Sequence, residues 1–118
     1  MEKGKLTCII IEDEPAYQQI LNFFLDKLGG LEVLGAFTDT DAASTEIEEK
    51  KPDIIFLDIS ISGLEGPEFI KQLAYKPKVV IVSGHSEEFI NTHYDIEYQS
   101  YIQKPVDLDK LGVALSRI

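Results

Sequence analysis

Cysteine is almost absent from this chain. Cys8 stands alone, so no intrachain disulfide can form, and its place in the apolar run Leu6-Thr7-Cys8-Ile9-Ile10-Ile11 marks it as a small buried thiol. A lone thiol suits a reducing, cytoplasmic setting. Basic residues are also scarce: 11 lysines and arginines face 21 aspartates and glutamates, leaving a net charge of −10. That is the wrong sign for a surface that must neutralise phosphate backbones, so no direct nucleic-acid binding is expected. No apolar stretch approaches the ~20 residues of a membrane span. The start, Met1-Glu2-Lys3-Gly4-Lys5, lacks the apolar centre of a signal peptide, and neither export nor membrane insertion is expected. His85 and His93 lack metal-ligand spacing and read as surface residues. With no internal repeat, low-complexity segment or linker, 118 residues of 44% hydrophobic content fit a single domain over residues 1–118. Residues 1–5 are expected to be its flexible start.

Apolar runs and helical periodicities alternate along the chain. After the first strand, Pro15 suits a helix's first turn, and Tyr17, Ile20, Leu21, Phe24, Leu25 and Leu28 recur at three- and four-residue spacing up to Gly29-Gly30. Glu14 fits an acid of that helix's first turn better than a ligand. Leu31 to Phe37 reads as a second strand. Thr38-Asp39-Thr40-Asp41 supplies N-cap candidates for a helix reaching Lys50 or Lys51, halted before Pro52. Ile54 to Leu57 is a third strand, followed by the loop Ser60 to Gly66 and a helix from about Pro67 to Ala74. Val79 to Val82 is a fourth strand, Ser86 to Tyr94 a weaker helix, and Ser100 to Ile102 a short fifth strand. Asp107 then caps a helix through Leu108, Leu111 and Leu115.

This βαβαβαβαβα order predicts an α/β fold, a doubly wound parallel sheet with helices on both faces, because right-handed crossovers are strongly favoured. The continuous apolar strands fit a sheet covered on both sides. In the flavodoxin-like order 2-1-3-4-5, the first and third strands are neighbours whose carboxyl ends open on one crevice. Glu12 and Asp13 follow one strand and Asp58 the other, so three carboxyls converge there. Gathered acids repel, which calls for a cationic companion.

Five features in chain order resemble the receiver domains of two-component response regulators, and the resemblance covers nearly the whole chain. They are the acidic pair Glu12-Asp13, Asp58 closing Asp53-Ile54-Ile55-Phe56-Leu57-Asp58, Ser83 with the small Gly84 after the fourth strand, Lys104-Pro105 after the fifth, and Tyr101 three residues before the lysine. Ile11-Glu12-Asp13-Glu14-Pro15 and Phe56-Leu57-Asp58-Ile59 look like the LytR/AlgR type, whose receivers usually precede a DNA-binding module. No such module lies within these residues, so any output domain is expected outside this chain.

The resemblance implies that Asp58 accepts a phosphoryl group from a sensor histidine kinase and so switches an output, with transcription through a separate DNA-binding domain the expected one. It implies Mg²⁺, or Mn²⁺ in the same place, held by Glu12, Asp13, Asp58 and the backbone carbonyl of Ser60. Lys104 would pair with phosphoryl oxygens and Ser83 would donate to another, beside Gly84. Pro105 would enforce the turn that aims Lys104, with a bond that is typically cis in the family. Ser83 and Tyr101 occupy the family's switch positions; the plainer alternative packs the Tyr101 ring at a sheet edge with its hydroxyl in water. His85, two residues past Ser83, lies where the family tunes acyl-phosphate lifetime. Such a domain is no enzyme beyond its own phosphotransfer and slow autodephosphorylation, and phosphorylation would promote a homodimer.

Two departures stand out: Glu12 occupies a place where aspartate is commoner, and Ser62 replaces a frequent proline. Other classes fit less well. A flavin or nucleotide module wants a glycine- or hydroxyl-rich loop after the first strand, and Asp13-Glu14-Pro15-Ala16-Tyr17 has no glycine. An aspartate-nucleophile phosphatase wants an acid two residues past the nucleophile, where Ser60 stands. A pseudo-receiver acting only by protein contact is the main alternative, yet it usually lacks the acceptor, the acid pair or the lysine.

Overall fold

The structure, a computed structural model, describes residues 6–59 and 66–118. The expected flexible start and the loop holding Ser60 and Ser62 lie outside those residues. Strands β1 (Leu6–Ile11), β2 (Leu31–Phe37), β3 (Ile54–Asp58), β4 (Lys78–Ser83) and β5 (Ser100–Gln103) alternate with helices α1 (Pro15–Leu28), α2 (Thr40–Lys50), α3 (Gly66–Gln72), α4 (Glu87–His93) and α5 (Leu108–Ser116). All the pairings are parallel, in the expected order β2-β1-β3-β4-β5.

Because side chains alternate along a strand, the apolar runs feed two separate cores. Ile9, Ile11, Ile55, Leu57, Val79 and Ile81 pack on one face with Ala43, Ile47, Phe69 and Ile90 from α2, α3 and α4. Cys8, Ile10, Phe56, Val80, Val82 and Ile102 pack on the other with Leu21, Leu25, Leu111 and Ala114 from α1 and α5. Burial also pushes the Cys8 thiol up to about 12, which keeps it protonated and inert.

Local chemistry sets the element ends. Asp39, Ser86 and Asp107 accept N-cap bonds from Ala42, Phe89 and Lys110. Gly29 and Gly30 take φ of +78° and +86°, the left-handed backbone that lets α1 turn back into β2. Glu14 departs from expectation: it is the N-cap residue of α1, outside the first turn, and its side chain caps nothing. The third helix also stops short of Ala74. Glu48 of α2 accepts the Ala74 amide at 2.9 Å, and Lys76 Nζ donates to the carbonyls of Ile70 and Lys71 at 2.9 and 3.1 Å. Those bonds replace the helical ones that Ala74 would need.

Candidate phosphoacceptor and metal site

Strand register brings the site together. Ile11 pairs with Leu57, Asp58 with Val82, and Ser83 with Gln103. Glu12, Asp58, Ser83 and Lys104 therefore reach the same carboxyl edge of the sheet, each at or one step past a strand end. Ser83 is the last residue of β4, where the sequence reading had it follow the strand. Its carbonyl accepts the Lys104 amide at 2.8 Å, which ties the two strand ends together.

Glu12, Asp13 and Asp58 each offer a carboxylate oxygen within 4.8 Å of the others. Glu12 and Asp58 are buried, at 4% and 8% exposure, with Asp13 more open to solvent. The cation that the cluster demands is Lys104, whose Nζ lies 2.8 Å from Glu12 Oε1 and 3.9 Å from Asp58 Oδ2. Burial pushes the Glu12 carboxyl up to about 7; the Lys104 hydrogen bond opposes that rise and the Asp58 charge adds to it. For Lys104, burial favours the neutral amine, but the Glu12 bond and the Asp58 charge outweigh it and the ammonium is held more tightly than usual.

Several supporting contacts were not legible in the sequence. Gln18 Nε2 donates to the Glu12 carbonyl at 2.7 Å, and the Glu14 amide donates to Glu12 Oε2 at 3.2 Å, so the first turn of α1 fixes the acid. The Tyr17 ring, read as part of the helix's apolar stripe, lies with its centroid 4.1 Å from Lys104 Nζ and lines the cleft with Glu12 and Asp58. Lys110 Nζ donates to the carbonyls of Gln103 and Pro105 at 3.2 and 3.0 Å, bracing the turn that carries Lys104. The Lys104–Pro105 bond is cis. An aromatic four positions after Asp13 and a lysine six after Lys104 were the only traces of these roles.

The remaining residues lie around this centre. The Ser83 hydroxyl is buried and accepts the His85 amide at 3.1 Å, leaving its own hydrogen for another acceptor. Gly84 is exposed and its carbonyl accepts from Gln103 Nε2 at 3.4 Å. Tyr101 packs against the α4-side core, and its hydroxyl is buried with no hydrogen-bond partner among the described residues. The plainer alternative, a ring at the sheet edge with its hydroxyl in water, is therefore not what the structure has. Burial, then the nearby Glu87 charge, raises the Tyr101 phenol above its ordinary range. His85 and His93 are exposed as expected, and they sandwich Phe89 with centroids at 4.1 and 4.0 Å. Ser60 lies outside the described residues.

Known proteins are similar to this chain over nearly its whole length. The sequence profile of the response regulator receiver domain matches residues 8–116. Protein MrkE of Klebsiella pneumoniae is 33% identical over 121 residues, covering 100% of this chain and 45% of that protein. Transcriptional regulatory protein YpdB of Escherichia coli K12 is 30% identical over 113 residues, covering 93% and 46%. The crystal structure of the response regulatory domain of MrkE superposes with a TM-score of 0.77 at 30% identity, over 94% of this chain and 96% of that one. The chain thus spans about half the length of the curated relatives it matches. With the fold, the strand-end acids and the profile in agreement, this chain belongs to the response regulator receiver domain family.

Proposed function

We propose that Asp58 is the phosphoacceptor of this receiver, taking a phosphoryl group from the phosphohistidine of a sensor histidine kinase. The observation that carries the proposal is the gathering of Glu12, Asp13, Asp58 and Lys104 at one edge of the sheet. A carboxylate oxygen of Asp58 attacks phosphorus, the P–N bond breaks, and the imidazole departs with a proton from solvent. The product is an acyl phosphate. Transfer between such groups requires mainly positioning and charge neutralisation.

Three carboxylates within 4.8 Å suit a hard divalent cation, which prefers oxygen donors. Glu12, Asp13 and Asp58 would hold Mg²⁺, with Mn²⁺ as a substitute, and the Ser60 carbonyl would add a backbone oxygen. When bound, the ion supplies positive charge that lets an anionic phosphoryl group approach acids. Lys104 supplies a second positive charge on the same side, and the Ser83 hydroxyl donates its remaining hydrogen to a phosphoryl oxygen, with Gly84 leaving room beside it. Pro105 aims Lys104. Ser83 and Tyr101 form the switch, a reading supported by a buried Tyr101 hydroxyl that has no hydrogen-bond partner among the described residues.

Residues 1–118 act as one receiver in the cytoplasm; among the described residues no helix is long and apolar enough to cross a membrane. Its output lies in a separate domain, for which the naming of YpdB as a transcriptional regulator supports transcription. The net charge of −10 argues against direct nucleic-acid contact by this domain, and phosphorylation favours a homodimer. Its only chemistry is its own phosphotransfer and slow hydrolysis of the acyl phosphate.

Acetyl phosphate with Mg²⁺ tests the reading by intact mass. One phosphoryl group is expected on the wild type and none on Asp58→Asn. A folded, Mg²⁺-binding wild type that gains no mass would make this a receiver acting through protein contacts alone.

A further inference from the structure

Lys104 must be held among buried acids without being locked to them, and the side chain that shares its third side is Tyr17. The ammonium is 2.8 Å from Glu12 Oε1, 3.9 Å from Asp58 Oδ2 and 4.1 Å from the Tyr17 ring centroid, with the lysine side chain only 13% exposed. At that distance the negative face of the ring attracts the cation and takes the place of water. Tyr17 is itself fixed. It lies in the first turn of α1, its amide donates to Glu14 O at 3.0 Å, and the neighbouring Gln18 binds the Glu12 carbonyl at 2.7 Å. The ring and the acid are therefore tied to the same turn of α1.

The chemistry of the ring matters here. A third carboxylate beside Lys104 would strengthen its grip but repel an incoming phosphoryl group. An aliphatic side chain would exclude water but offer the ammonium nothing. A ring face attracts the cation while carrying no net charge, and its attraction tolerates lateral shifts better than a hydrogen bond does. Tyr17 is half-buried, lines the same small cavity as Glu12 and Asp58, and turns its face to the Lys104 ammonium.

We propose that Tyr17 is a positioning residue, whose ring face holds the Lys104 ammonium in the acid cleft and poises it to move from Glu12 to a phosphoryl oxygen. The kinetic half of this rests on the reading of Asp58 as phosphoacceptor. The positional half does not.

Two variants separate ring face from hydroxyl and from bulk. Tyr17→Phe keeps the face, and Tyr17→Leu keeps apolar volume without it. The first readout is the ¹H–¹³C spectrum of the Lys104 ε-methylene, assigned through Lys104→Arg, in which a ring overhead gives an upfield shift. That shift is expected in the wild type and in Tyr17→Phe, and its loss is expected in Tyr17→Leu. An unshifted Lys104 in the wild type overturns the proposal without any variant. The second readout is the rate of phosphorylation by acetyl phosphate at saturating Mg²⁺, with Mg²⁺ affinity measured separately by calorimetry. Tyr17→Leu is expected to lose about tenfold in rate, the worth of a partly desolvated cation–π contact, with Mg²⁺ affinity held, and Tyr17→Phe to match the wild type. Equal rates for Tyr17→Leu and wild type, or an equal loss in Tyr17→Phe, would overturn the positioning role. A wild type that takes no phosphoryl group would sink the phosphoacceptor reading and the kinetic half together, and the lysine shift would then decide the positional half by itself.

Discussion

Lys104 is bonded to Glu12, at 2.8 Å, and stands 1.1 Å further from the carboxylate proposed to react. The site's internal cation therefore serves first to neutralise a buried acid. Both side chains are largely buried, and removing one partner of such a pair leaves the other uncompensated. Lys104→Met is expected to destabilise the domain by about 2–4 kcal/mol at pH 7.5 in chelator, near the range for breaking buried ion pairs. Urea denaturation measures it. A midpoint equal to the wild type's would mean that solvent already screens Glu12.

The raised Glu12 carboxyl has a consequence for pH. Its folded value of about 7 lies above the ordinary 4.5, so the folded state binds the proton more tightly than the unfolded chain. The resulting stabilisation is complete below pH 4.5 and is lost as pH rises through 7. In chelator the wild type should lose up to about 3 kcal/mol between pH 4.5 and 7.5 from this group. Glu12→Gln removes the titration and should flatten that fall relative to the wild type. Parallel slopes for the two proteins would show that Glu12 titrates normally.

Millimolar Mg²⁺ should raise the thermal midpoint by several degrees at pH 7.5, because a ligand bound by the folded state alone stabilises it and relieves repulsion among Glu12, Asp13 and Asp58. Asp13→Ala should abolish most of the rise. Differential scanning calorimetry with and without chelator provides the comparison, and a midpoint indifferent to Mg²⁺ would remove this cluster as a cation site.

Tyr101→Phe should stabilise the resting domain by about 1 kcal/mol, against the usual direction for a core substitution. The hydroxyl it removes is buried with no partner among the described residues. A loss of stability, read in the same urea titration, would show that the hydroxyl is bonded after all.

Much of the fold was legible because its signals are local. The alternation of Ile9-Ile10-Ile11 and Ile54-Ile55-Phe56-Leu57 with amphipathic stretches dictates strands and helices residue by residue, and five such units leave a parallel sheet as the way to bury both faces. The end of α3 was not legible. It is set by Glu48 and Lys76, side chains from outside the helix, and no local pattern reports them. Glu14 lies one position outside the expected first turn, because Pro15 is the first helical residue, and its side chain makes no capping bond.

The same division runs through the site. Sequence alone determined that acids stand at the ends of the first and third strands and a lysine at the end of the fifth, because strand ends follow from apolar runs. Tertiary structure decided which acid the lysine binds, how far burial lifts Glu12, and that Tyr17 and Gln18 of α1 support the pair. Those are matters of a few ångströms between segments remote in the chain, set by strand register and helix docking, where electrostatic energy changes steeply with distance and burial.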